Sequence, residues 1–305
     1  MTCFSPLEGW RSRHPSSNGK FGLVFDRRES NGQRMQVACG QCIGCRTDRS
    51  KAWAVRCVHE ASLHEENSFL TLTYRDEALP QFGGLQKSDH QKFMKRLRKR
   101  IAPGRVRFFH CGEYGENLSR PHYHTLLFGY DYPDKEFWKV GSNGDKLYRS
   151  DLLEEEWGLG HCLIGAVTFQ SAAYVARYIM KKITGERASA HYRKLDPSTG
   201  ELIVIEPEYI TMSLKPALGS RWYGKFASDC YPSDFVVVDG KKQRIPKYYD
   251  CLLESENEEL LVEVKEARKR RARSHKVDNT VDRLRDREKV AHARAALNSR
   301  QYEKE

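Results

Sequence analysis

Two neighbouring runs of the sequence are typical of strands joined by a short turn, and they constrain the fold more than any other feature. "RVRFFHCGEYG" and "RPHYHTLLFGY" flank the turn-like "ENLS". A hairpin that is symmetric about this turn sets Glu113 opposite His122. Because successive side chains of a strand point to opposite faces, His122 and His124 share one face. The sequence therefore predicts an antiparallel hairpin that carries two imidazoles and a carboxylate on one side.

Strand-like and helix-like patterns alternate around this hairpin. The segments predicted there are a helix over 48–65, a strand over 68–74, a helix over 88–101 with Ser88 as its N-cap, a strand over 161–169 and a helix over 170–185 that Gly185 closes. "RWYGKF" predicts the start of a helix, and "DFVVVDGKKQRIPKYY" predicts a second hairpin. The fold class expected from this order is α+β, an antiparallel central sheet with helices packed on it.

Changes of composition predict three segments along the 305 residues. Residues 1–47 are rich in cysteine, and residues 1–45 are predicted to be irregular because they are rich in Gly, Ser and Arg. Residues 48–252 hold the α+β domain with its C-terminal elaborations. Residues 253–305 are highly charged and poor in aromatic residues, which predicts a basic helical tail.

The formal net charge of +11 is unevenly distributed. Residues 265–305 carry 14 Lys and Arg against 7 Asp and Glu, and "KSDHQKFMKRLRKR" at 87–100 is a second basic block. Clustered basic side chains suit a polyanion, because each neutralised phosphate releases counterions. The alternative is a solvated helix face without a partner, but two separate clusters favour nucleic acid.

Four cysteines have the spacing of a metal site. Cys39, Cys42 and Cys45 are each separated by two residues, and Cys3 is the nearest fourth ligand. Tetrahedral thiolates would form a closed structural zinc site. An iron–sulfur cluster and reduced cysteines without metal are the alternatives, although the bacterial cluster pattern expects a cysteine where the chain has Arg49. The odd total of nine cysteines and the absence of a signal sequence argue against a disulfide framework.

The histidine pair is either a metal site or an ordinary half-buried pair. With Glu113, or with Glu116 in the turn instead, His122 and His124 can bind a divalent cation and leave positions open for a phosphate oxygen and water. A bare His-x-His favours the ordinary pair, so a second motif has to decide.

The second motif is "YVARYIMKK" on the helix predicted over 170–185. Tyr174 and Tyr178 are one turn apart, and Lys181 lies on the same stripe. A phenol is a poor nucleophile near neutral pH unless a nearby cation stabilises the phenolate. The alternative is an aromatic stripe that packs on the sheet, with lysines extended to solvent.

Together the motifs resemble the HUH endonucleases, the initiators of rolling-circle replication. "FLTLTY", "PHYH" and "YVARYIMK" resemble the three motifs of that superfamily in order, and the paired tyrosines resemble its two-tyrosine branch. "CGQCIGCR" and the stretch up to "FLTLTY" resemble the replication initiators of gokushoviruses, phages of the Microviridae. One residue departs from the pattern, since Arg177 and not lysine follows Tyr174 by three positions.

The resemblance implies a metal-dependent enzyme that nicks single-stranded origin DNA and transfers the strand. It implies Mg²⁺ or Mn²⁺ at Glu113, His122 and His124, nucleophilic tyrosines at 174 and 178, and a helper role for Lys181. A host helicase and a host DNA polymerase are the expected partners, because the chain has no G-x-x-x-x-G-K-[ST] loop for ATP. Without an apolar run of about 18 residues or a signal sequence, no membrane association is expected, and the expected location is the cytoplasm of the bacterial host.

Two other functions remain open at this point. The chain can be a non-catalytic, zinc-stabilised nucleic-acid-binding protein whose histidines and tyrosines are core residues. It can also be a metal-dependent hydrolase that uses the two histidines to activate water.

Overall fold

The protein was analysed as a computed structural model that describes residues 3–17, 19–101, 106–115, 118–141, 144–177, 186–196 and 198–297. The chain divides into two compact units. The terminal unit consists of Met1–Arg49 and Lys265–Ser299, and Ser50–Val264 is the body of the central unit. Among the described residues, no helix combines the length and the apolar character that crossing a bilayer requires.

The secondary structure alternates between strands and helices along most of the chain. The strands are β1 (Leu7–Pro15), β2 (Phe21–Val24), β3 (Ser30–Val37), β4 (Asn67–Thr73), β5 (Arg107–Tyr114), β6 (Pro121–Phe128), β7 (Glu136–Val140), β8 (Lys146–Arg149), β9 (Cys162–Gly165), β10 (Arg193–Leu195), β11 (Leu202–Val204), β12 (Tyr209–Met212), β13 (Phe235–Val238) and β14 (Lys241–Arg244). The α-helices are α1 (Ile43–Ala61), α2 (Lys87–Arg100), α3 (Asp151–Trp157), α4 (Phe169–Arg177), α5 (Glu186–His191), α6 (Ser220–Cys230), α7 (Lys247–Glu256), α8 (Glu258–Arg273) and α9 (Val281–Leu297).

A seven-stranded sheet with the order β12-β5-β6-β4-β9-β8-β7 forms the centre of the central unit. Every neighbouring pair in it is antiparallel. The predicted α+β class with an antiparallel central sheet is thus confirmed. The predicted hairpin is also present, because β5 and β6 pair with Glu113 directly opposite His122.

Helices cover both faces of this sheet. Leu70 and Leu72 of β4 point to the side where Phe93 of α2 and Trp157 of α3 are buried. Phe69 of β4 points to the opposite side, where Val175 of α4 and part of α1 are buried. Full burial of each large apolar side chain contributes about 1.5–3 kcal/mol relative to exposure. The alternation along β4 therefore fixes which face receives α4, and the histidines of β6 share that face with Phe69.

Two sequence-based expectations about local structure were wrong. Residues 7–37 are not irregular but form a small antiparallel sheet with the order β2-β1-β3. Most of its side chains are exposed, so its strands lack the apolar alternation that reveals a half-buried strand. Ser88 is not the N-cap of α2, which starts at Lys87 after an extended Gln86. The backbone of Gln86 instead bonds the Tyr123 hydroxyl through both its N–H and its carbonyl.

The other predicted elements are present with shifted ends. The first predicted helix is α1, which starts at Ile43 and stops at Ala61. The predicted strand over 161–169 is the shorter β9, and the hairpin in "DFVVVDGKKQRIPKYY" is the β13–β14 pair. The basic tail is helical in α8 and α9, as predicted. The described part of the helix predicted over 170–185 is α4, and its remainder lies outside the described residues.

A close backbone approach holds the end of β4 beside the start of β9. Gly160 lies so close to this crossing that an added Cβ would overlap the backbone nitrogen of Arg75 and the backbone oxygen of Thr73. Since these are backbone atoms, they can move only if the pairing shifts. We expect Gly160→Ala to lower the free energy of unfolding by about 1–3 kcal/mol in urea denaturation. Gly224→Ala is the control, because its Cβ would meet nothing within 4 Å and alanine favours the helix. Equal stability of the two variants would contradict the packing argument.

Candidate active site

The three predicted metal-binding side chains converge on one face of the central sheet. Glu113 lies in β5, and His122 and His124 lie in the neighbouring β6. One carboxylate oxygen of Glu113, Oε1, is 2.9 Å from Nε2 of His122 and 2.9 Å from Nε2 of His124. The candidate ligand atoms of all three residues lie within 4.8 Å of one another. This spacing allows all three to bind one cation.

Hydrogen bonds at the other ring nitrogens orient both imidazoles. Nδ1 of His122 is 3.2 Å from the backbone carbonyl of Arg120, which can only accept a hydrogen bond. Nδ1 of His124 is 3.1 Å from the hydroxyl oxygen of Thr71 in β4. With the proton on Nδ1, the lone pair of each neutral ring lies on Nε2 and faces the carboxylate. Partners at the far nitrogen are a regular feature of histidines that bind metals.

This donor set fits a divalent cation. Two Nε2 lone pairs and a carboxylate oxygen are all acceptors, so close approach requires either protons on the rings or a cation between the groups. Burial of the Glu113 carboxylate would raise its pKa, but hydrogen bonds from His122 and His124 outweigh burial and lower the pKa to about 2. The group is thus a fully buried anion at neutral pH. Imidazole nitrogens with a carboxylate suit first-row divalent ions such as Mn²⁺.

Tyr174 of α4 reaches the same group of side chains. Its hydroxyl donates to Oε1 of Glu113 at 3.4 Å and lies 3.5 Å from Nε2 of His124. Its ring packs edge-on against the His124 ring, with the centroids 5.1 Å apart. The Tyr174 side chain is 1% exposed, so in this conformation its hydroxyl is covered. The structure therefore brings the predicted tyrosine to within hydrogen-bond distance of two predicted metal ligands.

The start of α4 is fixed by bonds that are independent of the site. The backbone N–H of Ser171 donates to the Thr168 hydroxyl, while the N–H of Thr168 donates to the Ser171 hydroxyl. This reciprocal arrangement is analogous to a capping box and satisfies N–H groups at the helix start. The Ser50 hydroxyl of α1 also donates to the Ala173 carbonyl at 2.8 Å. Both contacts hold the first turn of α4 and thereby position Tyr174.

The remaining predicted site residues divide into two groups. Tyr178, Lys181 and Glu116 lie outside the described residues, so their roles stay predictions. Arg177, which stands where the resemblance expects lysine, is described. Its guanidinium carbon lies 5.4 Å from the centroid of the Tyr174 ring, so it contacts the ring.

Sequence reasoning missed the residues that orient the histidines. Thr71 lies directly opposite His124 in the β4–β6 pairing, and its partner role follows from that register. The alternation in "FLTLTY" does place Thr71 on the face of Phe69, but nothing in the sequence indicates which strand becomes the neighbour of β6. The Arg120 carbonyl is a backbone group, so no residue type could have identified it.

The four cysteines predicted to form a metal site also lie together, in the terminal unit. The sulfur atoms of Cys3, Cys39, Cys42 and Cys45 all lie within 4.8 Å of one another. Backbone N–H groups point at these sulfurs. Cys39 donates to Cys3 at 3.3 Å, and Phe4 donates to Cys42 at 3.3 Å. Such bonds stabilise thiolates, and a set of four suits a tetrahedral metal such as zinc.

Comparison with known proteins identifies the family. The family model for replication-associated proteins of the ORF2 kind matches residues 67–183, a span that contains every predicted residue of the tyrosine and histidine site. The replication-associated protein VP4 of Bdellovibrio phage phiMH2K is 31% identical over 259 residues, which cover 82% of this chain and 76% of that protein. The replication-associated protein ORF2 of Spiroplasma virus 4 is 31% identical over 295 residues, covering 90% and 87%. No solved structure matches the chain.

A third relative, the replication-associated protein ORF4 of Chlamydia phage 1, is 29% identical over 231 residues, covering 71% of this chain and 53% of that protein. The fold and these matches define the chain as a replication-associated protein. It belongs to the family of replication-associated proteins of Microviridae phages, which confirms the resemblance found in the sequence.

Removal of one imidazole tests the first metal site without reference to any activity. We expect the wild-type protein to bind one Mn²⁺ per chain at this site, and His122→Ala to weaken that binding at least about tenfold, because one of three ligands is lost. Free Mn²⁺ can be measured by its electron paramagnetic resonance signal during a titration. His14→Ala is the control, since His14 is exposed on β1 of the other unit. Unchanged binding in His122→Ala would contradict the assignment.

Substitution of one thiolate tests the cysteine site. We expect purified wild-type protein to contain one zinc per chain, and Cys42→Ser to lose zinc and solubility, because closed zinc sites contribute directly to folding. Metal content can be measured by atomic emission spectroscopy. Cys251→Ser is the matched control, since Cys251 is exposed on α7 and lies outside the cluster. Wild-type protein without zinc, or Cys42→Ser with full zinc content, would remove the assignment.

Proposed function

We propose that the protein is a site-specific nickase and strand transferase that acts on single-stranded origin DNA and starts rolling-circle replication of a phage genome. The observation that carries this proposal is the convergence of Glu113, His122 and His124 with the hydroxyl of Tyr174. Membership of a family of phage replication-associated proteins supports DNA as the substrate.

The proposed reaction is a transesterification at phosphorus. A tyrosine oxygen attacks the scissile phosphate, the bond between phosphorus and the 3′ oxygen breaks, and the tyrosine proton passes to solvent or to the leaving oxygen. The products are a 5′-phosphotyrosine and a free 3′-OH that a host polymerase can extend. Because the phosphodiester bond is replaced by another, rejoining is the reverse attack by a 3′-OH and requires no ATP.

The residues of the sheet would hold the catalytic cation. Mg²⁺ or Mn²⁺ bound by Glu113, His122 and His124 would polarise a phosphoryl oxygen of the scissile group. Thr71 and the Arg120 carbonyl hold the two imidazoles in the orientation that this binding requires. Glu113 contributes the negative charge, since its low pKa keeps it ionised at neutral pH.

Two tyrosines one turn apart suit the two cleavages of a complete round. The first tyrosine holds the old 5′ end while the second cuts the regenerated origin, so both ends are available for closure. The Tyr174 hydroxyl is covered and bonded to Glu113, and Arg177 lies at its ring. We therefore assign the first cleavage to Tyr178, with Lys181 as its helper, and the second to Tyr174. A host helicase would separate the strands.

Trapping of the covalent intermediate tests the proposal against its alternatives. The full-length protein is incubated with Mn²⁺ and a single-stranded origin oligonucleotide labelled on the 3′ side of the cut, and the products are separated on a denaturing gel. The proposal expects label on the protein. Label on free cleaved DNA would favour a metal-dependent hydrolase, and intact DNA bound without cleavage would favour a non-catalytic zinc-stabilised binding protein.

Single substitutions of the tyrosines test the order of use. We expect Tyr178→Phe to reduce the rate of the first nick more than Tyr174→Phe does, because Tyr178 precedes the helper lysine. Either variant should form some adduct, neither should release closed circles over repeated rounds, and the double variant should form no adduct. Mass spectrometry of the trapped peptide identifies the linked residue. Tyr130→Phe is a control on a tyrosine away from this site. Adduct on neither Tyr174 nor Tyr178 would refute the mechanism.

A further inference from the structure

The net positive charge of the chain is confined to the terminal unit. That unit contains 20 of the 52 Lys and Arg residues but only nine of the 41 Asp and Glu residues, an excess of 11. The excess equals the formal net charge of the whole chain, so the rest of the sequence, including the proposed nuclease site, is neutral overall. Nine acidic side chains cannot neutralise twenty basic ones by internal pairing. The terminal unit is therefore the part of the molecule that attracts polyanions most strongly.

Within the terminal unit, the charge is densest at the end of α8. Residues 265–273 hold six Lys and Arg and a single acidic residue, Glu266. Arg270, Arg271 and Arg273 are exposed there. Basic residues in a last turn interact favourably with the helix dipole, but that effect contributes only about 0.3–1 kcal/mol each and does not account for such a run. The charge is more balanced around α9, where Arg283 forms ion pairs with Asp278 and Asp286.

The small sheet of the terminal unit adds exposed aromatic rings to this charge. Phe21 of β2 is 44% exposed and the following Phe25 is 59% exposed. The guanidinium of Arg11 in β1 lies over the Phe21 ring, 5.3 Å from its centroid. Exposed rings among arginines are the combination that binds the bases and the phosphates of nucleic acid.

We propose that the terminal unit is a second DNA-binding surface, separate from the nuclease site, that holds the phosphate backbone of the origin through α8 and the β1–β3 sheet. The inference rests on the proposed function for the identity of the polyanion. A membrane surface suits α8 less well, because the run 265–273 contains only alanine besides its charged residues and offers no apolar face. An acidic protein would not require the exposed rings.

The cysteine cluster gives this surface its framework. Three of its residues lie between β3 and the first turn of α1, and Cys3 comes from the N-terminus. Phe4, whose N–H donates to Cys42, lies beneath the guanidinium of Arg287 in α9, 5.9 Å from ring centroid to guanidinium carbon. The N-terminal segment and α9 thus meet beside the four sulfurs. Metal bound there would hold the N-terminal sheet and the C-terminal helices as one binding surface.

The salt dependence of DNA binding tests the inference with the full-length protein. Fluorescence anisotropy of labelled single-stranded and duplex origin oligonucleotides is measured at several KCl concentrations, without divalent cations so that no nicking occurs. We expect the triple variant Arg270→Gln/Arg271→Gln/Arg273→Gln to flatten the slope of log affinity against log salt by about 2 to 3, and to weaken binding about tenfold or more. A larger loss on the duplex would place this surface on the flanking duplex, and a larger loss on the single strand would place it on the nicked strand.

A matched variant in the central unit separates a specific surface from a general effect of charge. Lys92→Gln/Lys95→Gln/Lys99→Gln removes the same charge from exposed positions of α2, which covers the face of the sheet opposite the histidines. We expect this variant to keep most of the wild-type slope. An unchanged slope in the α8 variant, or equal losses in both variants, would overturn the inference. The adduct experiment on wild-type protein tests the proposed function independently, since binding is measured here without cleavage.

Discussion

The buried carboxylate of Glu113 sets the strictest requirement on the structure. An ionised carboxylate without water loses several kcal/mol of solvation unless hydrogen bonds or opposite charges replace it. Here His122 and His124 supply that replacement, and both come from the strand paired with that of Glu113. A slip of the hairpin by one residue would turn both histidines to the opposite face and leave the carboxylate unpaired among apolar side chains. The register of β5 and β6 is therefore tied to the site as well as to the core.

The same requirement explains why some features were predictable. A period of two places His122 and His124 on one face, and a symmetric turn sets Glu113 opposite His122, so local sequence was sufficient for the ligand set. The position of Thr71 depends on β4 pairing with β6, and no local pattern specifies that choice. Likewise, the edge strand β12 joins β5 from nearly a hundred residues later in the chain. Long-range pairing is decided by the whole core, which explains why the hairpin was predicted and the sheet order was not.

The failures at the N-terminus and at α2 have a different physical origin. The β1–β3 sheet has exposed side chains on most of its positions, so it lacks the alternation by which strands are recognised. Ser88 has a residue type that commonly caps helices, yet the Tyr123 hydroxyl bonds the backbone of Gln86 and fixes the start of α2 before Ser88. At α2, a contact with a distant part of the chain thus outweighs the local preference.

The nucleophile and the metal ligands are held by different parts of the fold. The ligands belong to two paired strands, whereas Tyr174 belongs to a helix whose first turn is fixed by Thr168, Ser171 and Ser50. Val175, next to Tyr174, is fully buried in the core on that side of the sheet. Since these contacts do not involve the site, the helix keeps its place whether or not a cation or DNA is bound. The distance between the Tyr174 hydroxyl and the ligands is thus set by core packing, and a site preorganised in this way spends less binding energy on orienting its reacting groups.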